Sequence, residues 1–453
     1  MRDLVILAVL PFLLYAMCKR PFIGLGLWMW TALFFPNGWL FGIASSIRYN
    51  LLFAGITIAG YLVWKNKPKF KLTTTGALIL LFFAWTTAST LMGIGNPERA
   101  WDFWGRLLKT ILLFVFVLAI VEKKLHIDFF LWCCVLSVGF FADLEALKYL
   151  ASGGGHMIEG MAGHVLGDRN ELSIAFLMTL PICIYLLQEF RNRSKLLSLA
   201  LLGTIALMLI AVIGTQSRGG FIVLIALGGY FYFKSEKKGL LTIVLVFVVL
   251  GMSQLVTDEW VTRIQTVNAA DKDASFMGRV VAWKLSFIMA LQHPLFGGGF
   301  KALETFPVWT ALSQSFDSLP WFYTADMTPD PDRVHAAHSA YFQVLGDHGF
   351  GGLAIYLSFL VAAFHKARAI VRTARKHTVP DWIPRLATTL QLTMFAFCLG
   401  GASLSFAYFE MMYAVIGLLI VLETRILPAA ILEHEQEAER METSIALPSQ
   451  RRA

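Results

Sequence analysis

The feature that most constrains this chain is a succession of long apolar runs. A helix needs about 20 apolar residues to cross a hydrocarbon core about 30 Å thick. Candidate runs lie at 4–18, 22–44, 50–64, 74–93, 104–121, 126–150, 171–190, 196–214, 219–233, 239–257, 338–365, 386–405 and 408–426. They do not alternate with period two, as the strands of a membrane barrel do. The sequence therefore predicts an all-α polytopic membrane protein with 12 or 13 transmembrane helices, since one of the first three runs can be re-entrant.

Composition excludes the other classes. Only 15% of the residues are charged and 57% are hydrophobic, whereas soluble domains carry roughly 25% charged residues. Neither a soluble fold nor a disordered chain fits these values. The first run has no small-residue cleavage site before Lys19, so we expect a retained span and not a signal peptide. The cysteines all fall inside apolar runs and are interpreted as buried apolar side chains, not as disulfides or metal ligands: Cys18, Cys133, Cys134, Cys183 and Cys398.

Lysine and arginine predict the orientation. Alternate loops hold 19 of these residues, around positions 19–20, 65–71, 123–124, 191–195, 234–238 and 366–376. Such loops face the cytoplasm, and the net charge of +8 is therefore attributed to membrane topology and not to nucleic-acid binding. The sequence predicts a transmembrane helix bundle over 1–257 and a periplasmic segment over 258–337. Further transmembrane helices follow over 338–426, and a charged, disordered cytoplasmic tail over 427–453.

The long outer segment, 258–337, is too long to be a structureless loop. Residues 275–292 are predicted to form an amphipathic helix, because Arg279, Trp283 and Phe287 recur at a spacing of four and share one face. Pro294 and the glycines at 297–299 end this helix. Aromatic residues are frequent in the segment, among them Trp283, Trp321 and Tyr323.

Lysine and arginine residues on the outer side are exceptions to the preference of these residues for cytoplasmic loops, so they are candidates for functional residues. Arg218 lies in Gln-Ser-Arg-Gly-Gly, where the two glycines allow another backbone or a ligand to approach closely. Arg279 lies on the amphipathic helix and Arg263 lies before it. Arg106 and Lys109 lie one turn apart in the outer end of an apolar helix. Charged groups there are usually paired. Snorkelling to lipid headgroups remains the alternative, and it is weakest for Arg218.

His338 lies where the outer segment re-enters the membrane. A neutral imidazole can accept a proton from a hydroxyl group near neutral pH. The alternative is a structural histidine at a helix start. His335 and His348 are interpreted as structural.

Two further patterns are weaker. Asp330-Pro331-Asp332, followed by His335 and His338, matches the short Asp-x-Asp pattern of metal-dependent transferases, but Asp-Pro is also common turn chemistry. Asp168-Arg169-Asn170-Glu171 opens a span on the outer face, where Asp168 is predicted to be the N-cap. Asp143, Glu145 and Lys148 close an earlier span. Neither this group nor the stretch 168–171 forms a continuous proton relay through the bilayer, which weakens a transporter interpretation.

Taken together, the motifs resemble the O-antigen ligase family over most of 1–425. The resemblance lies in Ser-Arg-Gly-Gly at 217–220, Gly-Arg-x-x-x-Trp at 278–283, His-Pro-Leu-Phe-Gly-Gly-Gly at 293–299 and a long outer loop ending at His338. The segments at 1–4, 20–24 and 168–171 resemble the branch of exosortase-associated O-glycosylation ligases.

The resemblance implies a fold similar to the C-type glycosyltransferases and a site in the bacterial inner membrane that faces the periplasm. The implied donor is a glycan on undecaprenyl diphosphate, and the implied acceptor is the lipid A–core of lipopolysaccharide. No cofactor, metal or nucleotide sugar is implied. By this resemblance, the essential histidine corresponds to His338 and the essential arginines to Arg218 and Arg279. The residue after the histidine varies in the family, and here it is Ser339.

The residues suit this chemistry. A histidine activates the acceptor hydroxyl, and arginines match phosphate oxygens. Arg263, Lys109 and Arg106 are further candidates for binding the diphosphate. Trp283, Trp321 and Tyr323 are candidates for stacking on sugar rings. Three alternatives stay open: an O-antigen polymerase, a protein O-glycosylation ligase and, outside the enzymes, a transporter of lipid-linked sugars. A transporter would be expected to show inverted repeats or charge at the membrane midplane, and the sequence shows neither.

Overall fold

The structure is a computed structural model and describes residues 2–236, 238–239, 242, 274–330 and 332–446. In this part of the chain the long regular elements are α-helices: α1 (Arg2–Lys19), α2 (Pro21–Phe34), α3 (Gly42–Ser46), α4 (Tyr49–Val63), α5 (Thr74–Leu91), α6 (Pro97–Ile120), α7 (Lys124–Cys134), α8 (Phe140–Ala151), α9 (Arg169–Phe190), α10 (Lys195–Gly214), α11 (Arg218–Lys234), α12 (Ala274–Gln292), α13 (Phe306–Gln314), α14 (Ala340–Ala374), α15 (Trp382–Gly400), α16 (Glu410–Val421) and α17 (Leu427–Ala446). Short π-helical segments join α7 to α8 and α16 to α17. The predicted all-α class is confirmed.

Eight helical stretches of the described residues are long and apolar enough to cross a membrane: Thr74–Leu91, Pro97–Ile120, Lys124–Ala151, Arg169–Phe190, Lys195–Gly214, Ala340–Ala374, Trp382–Ser403 and Glu410–Glu437. Each corresponds to a predicted span, so the polytopic character is confirmed. The apolar helices α2 and α4 are shorter. The predicted span at 239–257 lies almost wholly outside the described residues, and the total of 12 or 13 stays a prediction.

Helix α9 lies at the centre of the bundle and packs against α10, α11 and α15. Its side chains are buried on nearly all sides from Leu172 to Cys183. Lipid tails are as apolar as leucine, so helices in a membrane associate through close packing and interhelical hydrogen bonds. Both occur here: Ile174 of α9 fills the space beside Gly400, and Thr393 Oγ1 donates to the Met178 carbonyl (3.0 Å).

Helix α14 is interrupted at Gly349, whose φ of 68° lies in the left-handed region. A side chain there would clash, because a Cβ atom would lie 2.6 Å from the Leu295 carbonyl oxygen. The interruption frees backbone carbonyls that need partners. They accept hydrogen bonds from the glycine run and from α5, namely Gly298 N to Gly346 O (2.9 Å), Gly299 N to Asp347 O (2.8 Å) and Trp85 Nε1 to His348 O (3.2 Å). The predicted helix stop at 297–299 is therefore also a docking point for α14.

The described part of the outer segment forms its own small core. The predicted amphipathic helix is confirmed as α12, within one residue of its predicted start. Buried side chains of α12 and α13 pack together, among them Leu285, Met289, Trp309 and Leu312. This core fixes α12 against α14. The prediction that this end of the bundle faces the periplasm stays a prediction.

The prediction of a disordered tail is wrong up to residue 446. Helix α17 continues α16 through a π-helical segment, in which Arg425 Nη1 donates to the Val121 carbonyl (2.6 Å). Leu427, Ala430 and Ile431 then pack against the bundle core. Alanine and glutamate in the rest of the segment have high helix propensity, so a helix that is anchored at its start continues through them. The charge count that predicted disorder missed this anchor.

Candidate functional site

The turn between α15 and α16, residues 401–405, is where the predicted residues meet. The Ser403 carbonyl accepts a hydrogen bond from Arg279 Nη1 (3.3 Å). The Ser405 hydroxyl oxygen accepts a hydrogen bond from the His338 backbone N–H (2.9 Å). Gly219 lies so close to Ser403 that a Cβ atom there would be 2.6 Å from its Oγ atom. The turn therefore brings together α11 just after Arg218, α12 at Arg279 and the start of α14 at His338.

The backbone of His338 is held in an uncommon conformation. Its φ of 45° lies in the left-handed region, which few residues other than glycine adopt and which costs free energy unless surrounding contacts impose it. The hydrogen bond to Ser405 is one such contact. The ring itself makes no hydrogen bond to any residue that the structure describes, and the side chain is half-buried. The fold thus fixes the backbone and leaves the imidazole nitrogens available.

Burial lowers the pKa of His338 below its ordinary value, and the positive charge of Arg279 lowers this pKa further. Asp168 and Glu304 act in the opposite direction, more weakly. The lowered pKa keeps the ring neutral at neutral pH, and a neutral imidazole can accept a proton.

The motif around Arg218 is fixed by a hydrogen-bond chain to the start of α9. Ser217 caps α11, its Oγ atom accepting from Gly220 N (3.2 Å). The same hydroxyl donates to Asn170 Oδ1 (2.8 Å). Asn170 in turn donates to Asp168 Oδ1 from its backbone N and its side-chain amide (2.7 and 2.8 Å). The predicted N-cap role of Asp168 is confirmed, and the two sequence motifs form one structure.

The close approach predicted for the glycines after Arg218 is also confirmed. Gly220 packs so tightly on Ser173 of α9 that a Cβ atom would collide with its hydroxyl group. Larger residues at 219 and 220 would therefore move the start of α11 away from both α9 and the 401–405 turn.

Helix α12 holds the chain directly before His338. Trp283 Nε1 donates to the Ala337 carbonyl (2.6 Å), and its ring stacks on Phe342 of α14, with centroids 5.2 Å apart. Phe287, on the same face, packs against Trp321 and Phe350. The predicted shared face of the helix is confirmed. Trp283 lies beside the site but already has an aromatic partner.

Arg106 and Lys109 lie on the other side of the 401–405 turn. They line a cavity of about 260 Å³ together with Ser405, Glu410 and residues of α2, α4 and α6. The Glu410 carboxyl is close enough to both cations to interact electrostatically. Ser405 belongs to this lining, and its hydroxyl oxygen accepts the hydrogen bond from the His338 backbone N–H.

The remaining predicted residues are more dispersed. Trp321 and Tyr323 are 67% and 69% exposed, and Trp321 contacts Phe287 of α12 (ring centroids 5.8 Å apart). Arg263 lies outside the described residues. The structure therefore gathers His338, Arg218 and Arg279 at one turn and places Arg106 and Lys109 in an adjoining cavity.

The Asp330–Asp332 pattern forms a turn. Asp330 Oδ1 accepts a hydrogen bond from the Asp332 backbone N–H (2.9 Å), and the Asp330 carbonyl accepts one from Trp309 Nε1 (2.8 Å). Burial lowers the pKa of His335, and Arg333 lowers it further. Over the described ranges, no group of three or more His, Cys, Asp or Glu side chains is placed to hold a metal ion.

Several residues of the site are not predicted by the sequence. Ser403 and Ser405 fall at the end of a run, 386–405, that hydropathy assigns wholly to a membrane span. Their signal is the polar interruption Gly-Gly-Ala-Ser-Leu-Ser at 400–405. Gln343 also lines the cavity and accepts a hydrogen bond from Ala407 N (3.3 Å). Ser217 and Asn170 belong to the quoted motifs, but nothing in the sequence pairs one motif with the other.

Fold and site together define the class: an all-α, multi-pass membrane protein with histidine and arginine gathered at one end of the bundle. Residues 203–357, which include His338, Arg218 and Arg279, match the family model described as O-antigen ligase (Wzy_C). This match confirms the predicted resemblance to the O-antigen ligase family, and it supports glycosyl transfer of the ligase or polymerase type. Residues 1–191 match a family of unknown function (DUF5935). No curated protein matches the chain.

Proposed function

We propose that this protein is a lipid-linked glycan ligase of the bacterial inner membrane. It transfers a glycan from undecaprenyl diphosphate to the lipid A–core of lipopolysaccharide on the periplasmic side, without metal and with inversion at the anomeric carbon. The observation that carries the proposal is the 401–405 turn. Ser403 accepts a hydrogen bond from Arg279, and Ser405, two residues later, accepts one from the His338 backbone. The family match supports glycosyl transfer as the reaction class.

The proposed step is a single displacement. The acceptor hydroxyl oxygen forms a bond to the anomeric carbon of the first donor sugar, and its proton passes to the ring of His338. The bond between the anomeric carbon and the phosphate oxygen breaks, and undecaprenyl diphosphate leaves with the electron pair. The lowered pKa of His338 supports this role, because the ring is neutral before the step and gains the proton during it.

Arg218 and Arg279 are assigned to the diphosphate. A guanidinium presents paired N–H donors that match phosphate oxygens and stabilise the negative charge that develops on the leaving group. The hydrogen bond from Arg279 to Ser403 uses Nη1 and orients the guanidinium. Arg263 is a further candidate. Trp283, Trp321 and Tyr323 stay candidates for contacts with sugar, the latter two through exposed rings.

A retaining mechanism is less well supported. It needs two carboxyl groups about 5 Å apart, one of them as nucleophile. Asp168 and Glu171 lie close together at the start of α9, but their carboxyl groups are hydrogen-bonded to each other, and Asp168 also accepts two hydrogen bonds from Asn170. Product stereochemistry tests the point: inversion is expected, and retention would require a covalent intermediate on a carboxylate.

The test of function is reconstitution. Purified protein in nanodiscs is mixed with undecaprenyl-diphosphate-linked glycan and lipid A–core in the presence of chelator, without nucleotide or membrane potential. Glycosylated lipid A–core is the expected product. Movement of donor across the bilayer without any product would identify a transporter instead.

A deletion strain distinguishes the proposed ligase from a polymerase and from a protein O-glycosylation ligase. Loss of glycan from lipid A–core, with long chains still present on the lipid carrier, is the expected phenotype. Loss of the long chains themselves would identify a polymerase. Loss of glycan from proteins, with lipopolysaccharide unchanged, would identify a protein O-glycosylation ligase.

A further inference from the structure

Two cations of the site have no anionic group bonded to them. Arg106 and Lys109 lie three residues apart on α6, so their side chains share one face of the helix, and both line the 260 Å³ cavity. Among the residues that the structure describes, neither makes a hydrogen bond from its side chain or an ion pair. The Arg106 guanidinium instead lies over the Phe103 ring, 4.7 Å from its centroid. Both residues are exposed and line the cavity, so an anionic ligand can reach both cations.

The charge balance of the cavity has the sign that an anion needs. Glu410 is the carboxyl group among the lining residues, and it offsets one of the two positive charges. His164 also lines the cavity; burial lowers its pKa, and its Nε2 atom lies 2.8 Å from the Ala32 carbonyl oxygen. A neutral His164 adds no charge. Glu410 can offset at most one of the two positive charges, so the lining stays positive before any ligand binds.

This cavity is separate from the groups assigned to the donor. Its lining includes Ser405 but not Arg218, Arg279 or the His338 side chain. Arg279 bonds to the turn at Ser403, whereas the cavity meets the turn at Ser405, the residue whose hydroxyl holds His338. Ser405, whose hydroxyl holds the His338 backbone, therefore lines the cavity and lies two residues from the carbonyl that Arg279 contacts.

A single displacement needs this kind of arrangement. The attacking oxygen and the leaving oxygen lie on opposite faces of the anomeric carbon. With the diphosphate at Arg218 and Arg279, the acceptor sugar must reach the opposite face of the anomeric carbon, where His338 takes the proton of its hydroxyl group. We infer that Arg106 and Lys109 bind a phosphate group carried by the acceptor sugar. This inference rests on the proposed function. It assigns Arg106 and Lys109 to the acceptor, whereas their charge alone made them candidates for binding the donor diphosphate.

The experiment measures KM for each substrate separately in the reconstituted system. The variants are Arg106→Gln and Lys109→Gln, with Lys109→Arg as the charge-preserving variant. Lys148→Gln is the matched control, since Lys148 is also a helical cation and pairs with Glu145 (2.7 Å) away from the cavity. Loss of a hydrogen bond to a charged group should raise KM for lipid A–core about tenfold in each Gln variant. KM for the donor should change less than about twofold in each Gln variant. Lys109→Arg keeps the charge but not the shape of the hydrogen-bond donor group, so it should raise the acceptor KM less than Lys109→Gln does. Lys148→Gln should resemble the unmodified protein.

A second arm uses acceptor from which the phosphates have been removed with hydrofluoric acid. The unmodified protein should then show the same increase in acceptor KM, and the Gln variants should show no further increase. Direct binding of the two acceptor preparations to purified protein should follow the same order.

The outcomes separate this inference from the proposed function. A Gln variant that raises the donor KM and leaves the acceptor KM unchanged would overturn the inference and return both cations to the donor site. So would an unmodified protein that does not distinguish phosphorylated from dephosphorylated acceptor. If the unmodified protein transfers no glycan to either acceptor, the proposed function itself fails.

Discussion

Two histidines ten residues apart show how differently this fold treats the same side chain. His348 is fully buried, and both of its ring nitrogens are occupied: Nδ1 lies 2.8 Å from Ser89 Oγ and Nε2 lies 2.9 Å from the Tyr408 hydroxyl. His338 is half-buried, and its ring has no hydrogen-bond partner in the described part of the chain. It is held instead through its backbone, by Ser405.

The difference indicates which histidine can act on a substrate. A ring that already exchanges hydrogen bonds on both sides has no nitrogen left for a substrate hydroxyl. The Tyr408 hydroxyl that meets His348 also donates to Asp347 Oδ2 (3.1 Å), so His348 belongs to a buried network that links α5, α14 and the residues before α16. His338 has a fixed backbone and a free ring. We expect substitution of His338 to lower turnover and substitution of His348 to lower stability.

The largest expected effect is at His338. His338→Asn should reduce turnover by about 10²–10⁴-fold, because asparagine cannot accept the proton. Asparagine tolerates the left-handed conformation, so the backbone anchor at Ser405 should survive and donor binding should stay nearly unchanged. The measurements are single-turnover kinetics and donor binding to purified protein. His335→Asn, three residues earlier, is the control and should remain close to normal. Near-normal turnover in His338→Asn would remove this residue from the proposed mechanism.

A smaller effect is expected when an arginine of the site is replaced by lysine, which keeps the positive charge but not the planar guanidinium group. Arg279→Lys and Arg218→Lys should each lower kcat/KM by about tenfold, since an ammonium group cannot replace a paired hydrogen bond to a phosphate. Donor KM should rise along with the loss in kcat, because the diphosphate is charged in both the ground and the transition state. Full activity in both lysine variants would show that only positive charge is needed and would argue against bidentate contacts.

The buried histidine should behave in the opposite way. His348→Ala removes two hydrogen bonds and leaves a void, and it should lower the free energy of unfolding by about 1–3 kcal/mol. Turnover per folded molecule should stay within about threefold. Thermal unfolding and active-site titration of the same preparation measure the two quantities. A loss of turnover as large as that of His338→Asn, in protein of unchanged stability, would contradict the structural role.

The helices could be predicted from the sequence because each one depends on a local property. Membrane spans need about 20 apolar residues, and α12 needs only a spacing of four. The site depends on contacts between distant segments, and one sequence cannot show these. Asp168, Arg218, Arg279 and His338 lie on four separate segments, and the 401–405 turn that joins three of them is hidden inside an apolar run.

The disordered tail is the assignment that the structure overturns, and its origin is a long-range contact. Helix α17 depends on the contact between Arg425 and Val121, which lie 304 residues apart. The assignment of Arg106 and Lys109 to the donor diphosphate follows from charge alone and stays a prediction; the structure adds that both line one cavity with Ser405. The resemblance to a family supplies the identity of His338, Arg218 and Arg279 as a set; hydropathy does not.

The smallest expected effect is a shift in the pH profile, and it tests the environment of the His338 ring directly. Because burial and Arg279 lower the pKa of His338, the neutral form should persist below the ordinary histidine value of about 6.5. The acid limb of kcat/KM should therefore have its midpoint below that value, with activity lost as the pH falls through it. Arg279→Gln removes a positive charge and should raise the midpoint. Asp168→Asn removes a negative charge and should lower it, each by less than about one unit. Measured on the remaining activity of each variant, shifts in opposite directions would identify His338 as the titrating group. Shifts in the same direction, or an acid limb that persists in His338→Asn, would assign the limb to another group.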